Sequence, residues 1–119
     1  MNKIIVIDAN VFVRYFLNDH PILSKKAKEI FLQAQKLQTK IYFDEIIVAE
    51  IIWLLTSFYK MEKTTILSGL SKLISQDWVI NPRKNLLLTA LELYGQENLA
   101  YIDCWLYIVG KNSGFKKVV

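Results

Sequence analysis

Cysteine and histidine each occur once in the 119 residues, proline twice and glycine four times. A single cysteine, Cys104, excludes an intrachain disulfide framework. Set beside the apolar run Trp105 to Val109, it reads as a reduced, packed thiol, which favours a cytoplasmic protein. His20 lies in a proline-containing turn with no second histidine near it, so it reads as a surface loop residue rather than a metal ligand. There is no CxxC, HExxH, GxGxxG or GxxxxGK[ST] pattern, which removes the zinc and nucleotide-cofactor classes. Scarce glycine and proline and the absence of any biased stretch signal neither linker nor disorder, and one domain is expected over residues 1–119. Long hydrophobic runs are also missing. The longest, Ile46 to Leu55, is interrupted by Glu50 and falls short of the ~20 residues that span a bilayer. The N-terminal apolar stretch is too short for a signal peptide and is interrupted by Asp8. No membrane anchor is expected.

What remains is a chain with 53% hydrophobic and 22% charged residues, enough apolar material for one core, with a formal charge of +4. The positive balance is a mild bias toward polyanionic partners. Lys25, Lys26, Lys28, Lys36 and Lys40 recur along one apparent helix and are read as a solvated face, whereas Lys111, Lys116 and Lys117 cluster near the end.

Periodicity gives an α/β alternation. Lys3 to Ile7 is a β-branched run expected to form a strand buried on both faces. Asn10 is placed to cap a helix reaching Phe16 or Leu17. After the turn Asn18 to Pro21, apolar positions from Ile22 to Leu37 recur with helical spacing. A strand is expected at Ile41 to Phe43, a helix from Asp44 or Glu45 to Phe58, and another over Met61 to Ile74. A brief strand at Trp78 to Ile80 follows, then a helix from Leu86 to Tyr94 stopped at Gly95, then a helix carrying Asp103 to Val109. A last strand begins at Lys117. Short strands alternating with helices imply a parallel sheet with helices on both sides, whose chemistry gathers beyond the carboxyl ends of the strands.

Three of the acidic residues stand in the most apolar segments of the chain. Asp8 follows Ile4 to Ile7, Glu50 lies within Ile46 to Trp53, and Asp103 lies within Leu99 to Leu106. An ionised carboxylate in apolar surroundings must be neutralised, paired or bound to metal. Several brought together would repel one another unless a hard divalent cation, Mg²⁺ or Mn²⁺, joined them. Such a cation can activate water and stabilise charge on a phosphoryl oxygen, which makes a phosphodiesterase site. Structural roles compete at each position: Asp8 and Asp103 can cap the helices that follow them, and Glu50 can pair with a cation such as Arg14.

Three segments in order, Ile4 to Leu17, Val48 to Leu55 and Tyr101 to Leu106, resemble the PIN-domain ribonucleases over nearly the whole chain, and among them the VapC-like toxins of toxin–antitoxin pairs. Gly114 to Val119 is similar to the family's approach to its final strand. The resemblance implies a three-layer α/β/α fold with a short central parallel sheet. It makes Asp8, Glu50 and Asp103 the ligands of Mg²⁺ or Mn²⁺, with Asn10 orienting the site or the scissile phosphate, unless Asn10 only caps its helix. It further implies in-line attack of water on a structured RNA such as a tRNA, leaving a 5′-phosphate, together with a homodimer and a cognate antitoxin. Arg14, Lys111 or Lys116 would hold the RNA backbone. The family usually carries one more acidic residue after its last strand, and the sequence stops about where that segment would begin. The alternative is therefore a catalytically impaired PIN-like module that binds RNA or an antitoxin. A receiver-like phosphoacceptor domain would need an acidic pair after the first strand and an aspartate after a middle one, and Ala9-Asn10 and Asn81-Pro82 supply neither.

Overall fold

The structure is a computed structural model that describes residues 3–115. Three strands, β1 (Lys3–Val6), β2 (Thr39–Tyr42) and β3 (Val79–Ile80), form one parallel sheet in the order β1-β2-β3, with Val6 opposite Tyr42 and Tyr42 opposite Ile80. Six α-helices accompany them: α1 (Ala9–Leu17), α2 (Leu23–Gln35), α3 (Glu45–Trp53), α4 (Lys63–Ile74), α5 (Lys84–Gln96) and α6 (Tyr101–Ser113). Parallel strands need crossovers, and here α1 and α2 join β1 to β2 while α3 and α4 join β2 to β3, giving the expected α/β/α architecture. Phe12, Phe31, Ile41, Phe43, Ile51, Leu55, Leu70 and Leu91 are fully buried in the core between these layers.

β1 departs from expectation. Ile4 and Val6 are 59% and 70% exposed, whereas Ile7, just beyond the strand, is buried. Among the described residues β1 pairs only with β2, and the exposure of Ile4 and Val6 shows that the face they share is uncovered, so the expected burial on both faces is overturned. Its β-branched residues drive an extended backbone in either position, so composition could not reveal which one it takes.

Helix ends also differ. Asp8, not Asn10, caps α1: its backbone is extended and its Oδ1 accepts the Val11 N–H at 3.2 Å. Asn10 lies inside the first turn. α2 is entered through a reciprocal pair in which His20 Nδ1 accepts the Leu23 N–H and Ser24 Oγ accepts the His20 N–H, so His20 has a structural task in its loop. The helix after Asp44 does not run regularly to Phe58. Leu54–Phe58 is a π-helical turn, with the Tyr59 N–H donating to Leu54 O and the Thr56 hydroxyl donating to Ile52 O at 2.7 Å. α5 continues through Gly95 to Gln96, because Gly95 keeps ordinary helical geometry. The glycine that stops a helix is Gly114, at φ 72° after α6. The strand expected from Lys117 lies outside the described residues.

Candidate active site at the carboxyl end of the sheet

Parallel pairing places the ends of all three strands on one side. The residues that leave them there, Asp8 after β1, Asp44 after β2 and Asn81 after β3, each use a polar side chain to turn the backbone into the next element. Asp44 Oδ1 accepts the Ile46 N–H at 2.8 Å and its Oδ2 accepts the Tyr42 hydroxyl at 2.9 Å. That second hydrogen bond, made by the protonated phenol to a carboxylate, is the main reason the Tyr42 hydroxyl titrates above its ordinary range. Asn81 is buried; its Nδ2 donates to Phe43 O at 2.6 Å and its Oδ1 accepts the Arg83 N–H, which ties β3 to β2 just past the paired register. Arg83 then reaches Glu45 at 3.1 Å and lies 4.9 Å from the centre of the Trp105 ring, linking the start of α3 to α6.

The three acids singled out in the sequence sit on elements connected through α3, which packs against both α1 and α6. Asp8 caps α1, Glu50 is on α3, and Asp103 is in the first turn of α6, where its charge favours the helix N-terminus. The cap position of α6 is Ala100, so Asp103 is not its N-cap. All three side chains are exposed, and the expectation that apolar neighbours would bury them is overturned. Their segments are apolar partly because outward-facing neighbours are apolar as well: Ile46 and Trp53 share the outer face of α3 with Glu50, and Ile102, Leu106 and Tyr107 surround Asp103 along α6. Arg14 does not answer Glu50; its Nη1 pairs with Asp19 at 3.2 Å.

Hard carboxylate oxygens reachable by water are the donor type that suits Mg²⁺ or Mn²⁺, cations that keep part of their hydration shell. Among the described residues, however, no group of three or more His, Cys, Asp or Glu side chains is placed to hold a metal ion. Cys104, beside Asp103, is fully buried, and burial pushes its thiol above the ordinary value, so it packs rather than reacts.

Beside Asp8 an open cleft of about 380 Å³ runs between α1 and α2. Asp8, Asn10, Arg14 and Lys26 supply its polar lining, and Val11, Leu23, Ala27 and Ile30 its apolar surface. On α2 the residues Leu23, Lys26, Ala27 and Ile30 follow the i, i+3, i+4, i+7 pattern of one helix face, and on α1 Arg14 lies four residues after Asn10 and three after Val11, on the same side of one turn. By sequence pattern Lys26 is one of several lysines on a solvated helix face. The signal that separates it from Lys25 and Lys28 is this shared stripe with Leu23 and Ile30.

A family model described as PIN domain matches residues 5–119. The chain belongs to the PIN-domain family. No curated protein and no solved structure matches it. PIN domains are generally nucleases that act on RNA with divalent metals, and the chain has the family's nuclease fold. No helix among the described residues is long and apolar enough to cross a membrane.

Proposed function

We propose that this PIN domain is a metal-dependent endoribonuclease of the VapC-like toxin type. The observation that carries the reading is the position of Asp8: an exposed carboxylate at the carboxyl end of β1 that opens a cleft also lined by Asn10, Arg14 and Lys26. Asp8, Glu50 and Asp103 are the residues that would hold Mg²⁺ or Mn²⁺, and Asn10 would orient the scissile phosphate. When bound, such a cation supplies an activated water and offsets charge on the phosphate. Arg14 and Lys26 attract the RNA backbone to the same place. Glu50 and Asp103 are exposed on α3 and α6, two helices that pack against each other. The exposed apolar residues Ile46, Trp53, Leu106 and Tyr107 suit coverage by protein, which supports a homodimer and a cognate antitoxin in the cytoplasm.

The test is cleavage of a structured RNA, such as a tRNA, by the purified protein with Mn²⁺. Asp8→Asn, Glu50→Gln and Asp103→Asn should each lower the rate by at least about a hundredfold, since each removes a carboxylate without removing the side chain. Asparagine at position 8 keeps an N-cap acceptor for Val11, so its effect on the rate is separated from helix stability. Undiminished cleavage by all three variants would refute the assignment.

A second reading, a PIN-like module that binds RNA or antitoxin without cutting, is favoured by the lack of a three-acid group among the described residues. Tight RNA binding with no cleavage under Mn²⁺ would decide for it.

A further inference from the structure

We infer that a second cleft, on a different face of α1 from Asn10 and Arg14, is a binding site for a small planar aromatic carboxylate. Phe12, Tyr15 and Phe16 from α1, Lys72 from α4 and Trp78 just before β3 line this cleft, which measures about 350 Å³ and shares no residue with the one beside Asp8. Neither metal nor RNA enters the inference, so it stands apart from the ribonuclease reading. Phe12, Tyr15 and Phe16 follow i, i+3, i+4 spacing and fall on one face of α1. The Phe16 ring stacks on Phe12 at 5.3 Å and fills the space into which a side chain at Gly69 would project, which fixes one wall between α1 and α4. Tyr15 and Trp78 both pack on the buried Phe31, with ring centres 4.4 and 6.1 Å away. Rings held by such partners give a rigid apolar surface, suited to the face or edge of a flat aromatic group rather than to a flexible chain.

The polar groups of the cleft decide the rest of the ligand. Trp78 is only 6% exposed, and its indole N–H donates to no other described residue. Lys72 is exposed in the last turn of α4, and its Nζ likewise has no hydrogen bond or ion pair with another described residue. Among the described residues no acid lines the cleft. A free cation, a donor without an acceptor and no negative charge call for a ligand that carries an anionic acceptor beside its ring, and a carboxylate meets both needs. An apolar side chain from a partner protein would fill the aromatic part but leave Lys72 and the Trp78 N–H unanswered. The volume lies at the small end of the range for small-molecule sites and suits one or two fused rings.

The experiment titrates the isotope-labelled protein with 2-naphthoate and follows the indole N–H signals of its tryptophans by NMR. Trp53→Phe and Trp105→Phe, at positions outside the cleft, assign two of those signals and leave that of Trp78 by elimination. The Trp78 signal is expected to shift saturably with a Kd of about 1 mM or below, while those of Trp53 and Trp105 stay in place. The uncharged 2-naphthamide, which has the same rings, should bind about threefold to fivefold more weakly, the size of effect that an ion pair to an exposed lysine gives. Lys72→Ala should abolish that preference, whereas Lys28→Ala, the same change of charge outside the cleft, should keep it. Phe16→Leu should weaken both ligands by at least about threefold, because it removes a ring and no charge. Absence of a saturable Trp78 shift at about 10 mM ligand, or a larger shift at Trp53 or Trp105, would overturn the site. Equal affinity for the acid and the amide would make the cleft an apolar groove for a partner's side chain and would also overturn it, as would a preference unchanged by Lys72→Ala.

Discussion

Tyr101 is buried at the start of α6, edge-on to Tyr94 with 6.1 Å between ring centres, and its hydroxyl has no hydrogen-bond partner among the described residues. Burial, followed by the nearby charge of Glu45, pushes the phenol far above its ordinary range, so it stays neutral at any working pH. A buried hydroxyl without a partner costs about 1–3 kcal/mol of desolvation and returns nothing. Tyr101→Phe keeps the ring packing and removes that group. It should therefore raise stability by about 1 kcal/mol in urea unfolding, and a loss of that size would show that the hydroxyl has a partner after all. Gly69 presents the opposite situation. A Cβ there would overlap Cε1 of Phe16 and lie 2.7 Å from its Cζ, and the Phe16 ring is itself stacked on Phe12 at 5.3 Å. Alanine improves helix propensity by about 1 kcal/mol, but overpacking costs about 1–3 kcal/mol, and a ring held by stacking yields little. Gly69→Ala is expected to destabilise by about 1 kcal/mol in the same assay; a gain in stability would mean that Phe16 moves freely.

At the scale of elements, α3 is the piece that relates the candidate catalytic residues. It begins at the Asp44 cap beyond β2, carries Glu50 outward, and ends in the π-helical turn Leu54–Phe58. A π-helical turn inserts an extra residue per hydrogen-bonded ring and rotates everything after it relative to a regular helix. The existence of α3 and of the other helices could be read from apolar spacing. The capping role that the sequence allowed Asp8 is the one it takes at α1, but the other boundaries were not legible, because the deciding interactions are single side-chain hydrogen bonds such as His20 to Leu23 and Thr56 to Ile52. α6 starts at Tyr101 after Ala100, a residue with no capping side chain, so that Asp103 falls in its first turn rather than at its cap. In α5 the Gly95 stop signal was overridden because the chain keeps negative φ through that glycine.

Across the whole molecule, the alternation of short β-branched runs with amphipathic helices makes the parallel α/β/α architecture legible in the sequence. Strand order was not legible, since it depends on contacts between residues far apart in sequence, and with it went the exposure of Ile4 and Val6. The positions of Asp8, Glu50 and Asp103 on a strand end and two helices were also foreseen. Their exposure was not, because an apolar run was equated with a buried one, whereas α3 and α6 carry apolar residues on outward faces too. The cleft depends on α1 lying against α2, which no local pattern encodes, so Lys26 passed for an ordinary surface lysine.

One claim underlies the account: carboxylates from three separate elements share a single hard cation. Isothermal titration with Mn²⁺ tests it without reference to RNA or catalysis. The wild-type protein is expected to bind one Mn²⁺, and Asp8→Asn, Glu50→Gln and Asp103→Asn should each weaken that binding by at least about tenfold. No Mn²⁺ binding by the wild type, or unchanged affinity in all three variants, would contradict it.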